Sequence, residues 1–186
     1  MRQRRGIPQR SRIFLACEGE SEQSYGVLLQ KLADAQDKRF FMVTQNLRGG
    51  GNPFRLANRA VEGFRREQAK AACVAKVIML DADLRGQMPD HANRAEDLLR
   101  REGFIAIWQR PDHEGLLLRH FEGHERADPP AGRAMEALQA VWDGYRKNMS
   151  SSDLQKVLTH NHVLRAAGVE APLMALLIVL GLVRVP

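Results

Sequence analysis

Three short acidic stretches stand apart in this chain. Glu18, Glu20 and Glu22 alternate within Cys17-Glu18-Gly19-Glu20-Ser21-Glu22, Asp81 and Asp83 flank Ala82, and Asp112 and Glu114 flank His113. Carboxylates crowded together repel one another, and each then holds its proton more tightly. A divalent cation relieves that repulsion. Hard oxygen donors favour Mg2+ or Mn2+ over zinc, and such ions bridge to the phosphates of a substrate. The chemistry suggested is metal-assisted reaction at phosphate. Glu18, Glu22, Asp81, Asp83 and the Asp112–Glu114 stretch are the candidate ligands in this reading. Singly, each stretch has a plainer explanation: Glu22 also suits the first turn of a helix, where the dipole favours an acid.

The elements that must position these groups alternate in type. Ile13–Cys17, Phe40–Val43, Val74–Leu80 and Phe104–Trp108 are short apolar runs, as expected of strands covered on both faces. Between them lie stretches of helical periodicity, 21–35, a helix opened by Asn52-Pro53, and 92–102 stopped by Gly103. Strand and helix in alternation predict a parallel sheet with right-handed crossovers. In such sheets ligands bind beyond the carboxyl ends of the strands. Glu18, Asp81 and Asp112–Glu114 all follow strand ends, so they are expected on one edge. Asp81 and Asp83 share a side if the backbone stays extended there. Beyond Pro111 the pattern is helical over 114–121, 135–147, 153–167 and 172–182, with 124–132 as a loop.

The formal net charge of +6 suits a phosphate-rich partner. Arginines at 2, 4, 5, 10 and 12 form a basic N-terminal tail, and Arg55, Arg59, Arg66 and Lys70 gather on one helix face. Both are read first as ordinary solvated charge, with contact to a phosphate backbone as the alternative. Gly49-Gly50-Gly51 matches neither a P-loop nor a dinucleotide fingerprint, and plain flexibility accounts for it. Cys17 and Cys73 sit in apolar runs and read as inert thiols, which points to a reducing, cytoplasmic setting. The apolar run 173–183 is too short to span a bilayer, so no membrane association is expected. Histidines at 113, 120, 124, 160 and 162 lack the cysteine pairs that would suggest zinc.

The Glu18-Gly19-x-Ser21-Glu22 motif resembles the opening Glu-Gly-x-Thr/Ser-Glu of Toprim domains in the OLD-type nucleases and their RloB-like relatives. Asp81-Ala82-Asp83 is similar to the Toprim Asp-x-Asp. The segment Arg110 to Phe121 resembles the RloB-like signature in which Asn-Pro precedes a Glu and a Leu-Leu-x-His-Phe helix, with a fainter likeness at Tyr145-Arg146-Lys147. Arg110 replaces the family's Asn, and Gly115-Leu116 replaces bulkier aromatic residues. The resemblance implies an α/β, three-layer Toprim-like (Rossmannoid) domain over 13–122 with a four-stranded, mainly parallel sheet. It follows a basic tail over 1–12 and precedes a helical C-terminal extension over 123–186 that packs on it or forms a dimer contact. It further implies Glu18, Glu22, Asp81 and Asp83 as metal ligands, Glu114 as a further acidic site residue, and His120 as a family-typical residue.

The function expected is Mg2+- or Mn2+-dependent endonuclease action on DNA or RNA in phage defence or abortive infection, with a neighbouring ATPase or defence-system protein as partner and a homodimer as a further expectation. Catalysis falls to Glu18, Asp81, Asp83 and Glu114. Arg85, Arg119, His120, Arg55 and Arg59 are the candidate phosphate-binding residues, Arg85 foremost because it follows the Asp-x-Asp. A non-catalytic Toprim-fold subunit that binds nucleic acid or protein is the alternative. A phosphatase or receiver-like domain using Asp81 as nucleophile is a third reading, and it fits the Glu-Gly motif less well.

Overall fold

The computed structural model describes residues 10–183. Arg2, Arg4 and Arg5 of the expected basic tail lie outside them. Strands β1 (Ser11–Cys17), β2 (Phe40–Asn46), β3 (Cys73–Asp81) and β4 (Ile105–Gln109) form one sheet in the order β2-β1-β3-β4, every neighbouring pair parallel. Helices α1 (Glu20–Asp34), α2 (Pro53–Lys70) and α4 (Pro89–Arg101) make the crossovers, with the short α3 (Asp83–Gln87) before α4. The chain is thus a three-layer α/β protein with a fully parallel sheet and a helical C-terminal part.

Strand alternation sorts the core into two. On one face, Phe14, Ala16, Ile78 and Leu80 pack on α2 and α4 through Leu56, Ala57, Ala60, Ala95 and Leu99. On the other, Ile13, Leu15, Cys17, Val77, Met79 and Ile107 pack on α1 through Tyr25, Leu28 and Leu29. That second face also takes α5 (His113–Leu118), α6 (Ala134–Val141), α8 (His160–Ala167) and α9 (Ala171–Val179). Leu173, Leu176, Leu177 and Leu180 of the last segment are fully buried there. The C-terminal helices therefore cover the sheet. Among the described residues no helix is long and apolar enough to cross a membrane.

Several boundaries differ from expectation. β1 starts at Ser11, so Arg12 is no tail residue: its guanidinium pairs with Glu67 at 2.9 Å on α2. The helix expected over 135–147 ends at Val141. The one expected over 153–167 is two, α7 (Ser151–Gln155) and α8, broken before the extended Thr159. Cys73 is only partly buried, unlike Cys17.

The turn from β4 into α5 is tight. A methyl on Gly115 would lie 2.2 Å from the carbonyl oxygen of Arg110 and 2.6 Å from Pro111 Cδ. The first of these is backbone and cannot swing aside, which explains why no bulkier residue follows Glu114. Gly115→Ala should therefore destabilise the fold by about 1–3 kcal/mol, read as a lower urea midpoint with an unchanged slope.

Candidate functional site

The crossover after β1 runs to α1 on one face, and the chain after β3 runs to α3 and α4 on the other. Adjacent strands whose connections leave to opposite faces open a crevice between their carboxyl ends. Here that crevice lies between β1 and β3. Glu18 follows β1 directly, and its Oε2 accepts the backbone N–H of Asp81 at 3.0 Å. Glu22, in the first turn of α1, takes the Gly19 N–H at 3.0 Å through Oε2 and turns Oε1 toward the Gln109 amide that also meets Asp81. It serves as helix-start acid and cleft acid at once.

Gln109 stands between them. It pairs with Asp81 across β3 and β4 and is fully buried. One end of its amide lies 3.1 Å from both Glu22 Oε1 and Asp81 Oδ1, the other 2.7 Å from His113 Nδ1. The end facing two carboxylates is the NH2, because a carbonyl there would meet only acceptors. The Gln109 oxygen then accepts from His113 Nδ1–H, which fixes that tautomer.

A recess of about 160 Å3 opens over this group. Glu18, Glu22, Asp81, His113, Glu114 and Lys147 line it, together with Asn148 and Gly49. Glu114 is buried and accepts the Tyr145 hydroxyl at 3.0 Å. Ser21 Oγ donates to Asn148 Oδ1 at 3.0 Å and accepts its N–H at 3.2 Å, strapping residues 145–148 across the start of α1.

The electrostatics are those of crowded acids. Burial first, then the charges of Glu18, Glu22, Asp112 and Asp83, push the Asp81 carboxyl up to about 9. Glu18 is raised, chiefly by burial and by Glu22 and Asp83, while the Asp81 N–H and Lys147 oppose the shift. Asp112, which caps α5 by accepting the Gly115 N–H at 3.0 Å, is raised by burial, Glu114 and Asp83.

Glu18, Glu22, Asp81 and Glu114 thus share one recess. Asp83 stands beside it for a different reason than the one expected. β3 ends at Asp81 and Ala82 is already helical, so the two aspartates do not share the side of an extended strand. Asp83 opens α3, accepts from Gln87 at 3.1 Å, and acts on the recess through its charge.

The expected phosphate-binding residues divide. Arg85 pairs with Glu96 and stacks over the Trp108 ring at 4.3 Å, so its guanidinium is engaged away from the acids. His120 is a core residue: Nε2 meets the Tyr25 hydroxyl at 2.9 Å, Nδ1 meets the Leu116 carbonyl at 3.0 Å, and burial lowers its pKa to about 3. Arg119 is buried, with Nη1 2.9 Å from Glu170 and Nε donating to the Ala127 carbonyl at 3.1 Å. Glu170 also has Arg110 at 3.3 Å, so removing Arg119 leaves the carboxylate only partly compensated. Arg119→Met should cost about 1–3 kcal/mol, and adding Glu170→Leu should restore part of it, both measured by chemical denaturation. Arg55 is exposed, and Arg59 donates to the Leu47 carbonyl at 3.0 Å.

Sequence reasoning gave no site role to Gln109, His113, Tyr145, Lys147 or Asn148, although His113 lies inside the third acidic stretch and Tyr145 to Lys147 carried the fainter likeness. The donor set fits a hard divalent cation in chemistry: four carboxylates from three segments, two buried and two partly buried, with one lysine near them. Among the described residues no three His, Cys, Asp or Glu side chains converge on a common point in their present rotamers. The acids instead face the Gln109 amide and the Asp81 N–H, contacts that a side-chain rotation releases. In comparisons with protein-family models, curated proteins and solved structures, nothing matched this chain.

Proposed function

We propose that this protein is a Toprim-type, Mg2+- or Mn2+-dependent nuclease of RloB-like character, hydrolysing phosphodiester bonds of DNA or RNA in a cytoplasmic phage-defence setting. The observation that carries the reading is the meeting of Glu18, Glu22 and Asp81 at the switch-point crevice, with Asp81 pushed up to about 9 by burial and like charge. Buried acids that repel one another destabilise a fold, so their assembly calls for a counter-charge. Glu18, Glu22 and Asp81 would hold the metal, with Asp83 beside them. A bound divalent ion supplies Lewis acidity and activates water for attack on phosphorus. The remaining groups belong to the chain. Gln109 orients Glu22 and Asp81 through one amide. Tyr145 fixes Glu114. Lys147 lines the recess and is placed to meet charge developing on phosphoryl oxygens.

The alternative is a Toprim-fold subunit that binds nucleic acid or a defence-system protein without cutting. It is favoured by the acids' present engagement with Gln109 and the Asp81 N–H in place of a common point. Incubation with plasmid, single-stranded DNA and tRNA separates the two. The nuclease reading expects products in Mg2+ or Mn2+ and none in chelator. Metal binding at Asp81 without cleavage of any substrate would favour the alternative.

A further inference from the structure

The recess over the acids is one end of a longer channel. Gly49, which lines it, also borders a neighbouring depression lined by Gly19, Glu20, Asn46 and Arg48. That depression shares Asn46, Arg48 and Gly49 with a third, lined further on by Gln45, Arg59, Glu62 and Arg66. Their volumes are about 470 and 360 Å3. Through these shared lining residues the three adjoin in sequence, from the arginines on α2, past the loop after β2, to the carboxylates.

The floor is held in place. The Gly49 N–H donates to the Glu18 carbonyl at 2.8 Å, and the Leu47 N–H donates to the Cys17 carbonyl at 2.8 Å. Arg48, Gly49 and Gly50 all have positive φ, at 58°, 29° and 61°. The loop is therefore tied at Leu47 and Gly49 to the end of β1 and to Glu18, and its left-handed turn is one that glycine at 49 and 50 adopts without strain.

The charges along the channel are uncommitted. Residues 55, 59, 62 and 66 follow the spacing that aligns side chains along one helix row. Among the described residues, Arg48, Arg55, Arg59 and Arg66 have no carboxylate within ion-pair distance, and neither does Glu62 have a basic partner. Arg65 and Lys70 of the same helix are paired with Glu102 and Glu67. Arg59 is anchored on the Leu47 carbonyl, whereas Arg48 and Arg66 are exposed. Unpaired arginines along a groove suit a chain of phosphates, where each bidentate contact displaces condensed counterions. Among the described residues no Phe, Tyr or Trp lines the three depressions, and the His113 ring in the recess is buried against Gln109 and Tyr25, so the groove offers bases no stacking platform and reads the backbone alone.

We infer that the groove from Arg66 and Arg59, past Arg48 and Gly49, to the Glu18–Asp81 recess is the track for one nucleic-acid strand, held by its phosphates without regard to sequence. The inference rests on the phosphodiester reading of the recess and gives its substrate a path. It assigns Arg48 and Arg66 to binding and replaces Arg85, Arg119 and His120 in that role.

The test is fluorescence anisotropy with labelled single-stranded and duplex oligonucleotides of scrambled sequence, in EDTA and separately in Ca2+, across a salt series. The wild type should bind with little sequence preference. Arg48→Asn with Arg66→Gln should weaken binding at least about tenfold and lower the salt slope by about 1.4–1.8, the loss of two phosphate contacts. Neither side chain makes a described contact, so thermal melts should coincide. Arg133→Gln, on an exposed surface pair with Glu136, should bind as wild type. No binding in either buffer, or a double variant as tight as wild type, overturns the track. Binding that falls in the double variant while no substrate is cleaved leaves the track standing and sinks the nuclease reading. Cleavage with binding unaffected does the reverse.

Discussion

Asp81→Asn is expected to lower metal-dependent cleavage by at least about a hundredfold and, in the same protein, to raise the melting temperature measured in chelator. The first effect follows from taking a charged donor out of the set. Removing even an outer partner of a metal ligand commonly costs 10–100-fold, and a direct carboxylate ligand should cost no less. The second follows from its surroundings. Asp81 is largely buried, and Glu18, Glu22, Asp112 and Asp83 all push its carboxyl up to about 9. At neutral pH the folded chain must keep a proton there or accept a repelled charge. An amide has the same shape, its oxygen still accepts from Gln109, and Glu18 still accepts the backbone N–H of residue 81. Loss of activity with gain of stability marks a residue retained for its charge. If the variant melts lower than wild type in chelator, Asp81 is a structural acid and the metal-centre reading fails with it. Glu18→Gln supplies an independent check, because its carboxyl is raised by the same causes.

What could be read from the sequence follows from where polar residues interrupt apolar runs. Glu18 and Asp81 stand at the ends of strands buried on both faces, where an acid is conspicuous, and strand order did not have to be known to place them on one edge. Gln109 escaped because the fourth strand seemed to end at Trp108. Its signal was present: Ile105, Ile107 and Gln109 alternate on the face toward α1, so a polar residue occupies a position where the period calls for an apolar one. Lys147 and Asn148 escaped for another reason. Leu138, Trp142 and Tyr145 are all buried at helical spacing, and periodicity alone continues a helix through them. The chain in fact leaves the helix at Trp142, just before Asp143-Gly144, and the irregular strap carries Tyr145 to Glu114 and Asn148 to Ser21. The arginines misled because sequence proximity was the only guide to them. Arg85 follows the Asp-x-Asp closely but belongs to α3, which turns it onto Trp108 and Glu96. Arg48 is far from the acids in sequence, yet the loop after β2 is hydrogen-bonded to the residues around Glu18.

Between pH 6.5 and 9 the metal-free protein should lose stability as pH rises, and Mg2+ should remove most of that loss. Asp81 has a folded value of about 9 against 3.8 for an unperturbed aspartate. Across that interval the folded state binds more protons than the unfolded state, so unfolding becomes easier with increasing pH. Below pH 4 both states are protonated and the group contributes nothing; above 9 the loss is complete. Glu18 and Asp112, also raised, act in the same direction. His120 acts oppositely, since burial holds it neutral down to about 3. Its unfolded form takes up a proton below about 6.5, so that contribution grows with pH from 3 to 6.5 and is constant thereafter. The window above 6.5 therefore excludes His120 and His162, and the raised Cys17 and Cys73 thiols add to the loss only near its upper end. Each tenfold change in proton affinity is worth about 1.4 kcal/mol, so the fall from pH 6.5 to 9 should be on the order of 3 kcal/mol, several degrees in Tm for a chain of this size. A cation that binds the ionised acids supplies the missing counter-charge and flattens the curve. A Tm that stays level across this window in chelator, or a slope unchanged by Asp81→Asn, would show that these acids carry no repulsion for a metal to relieve.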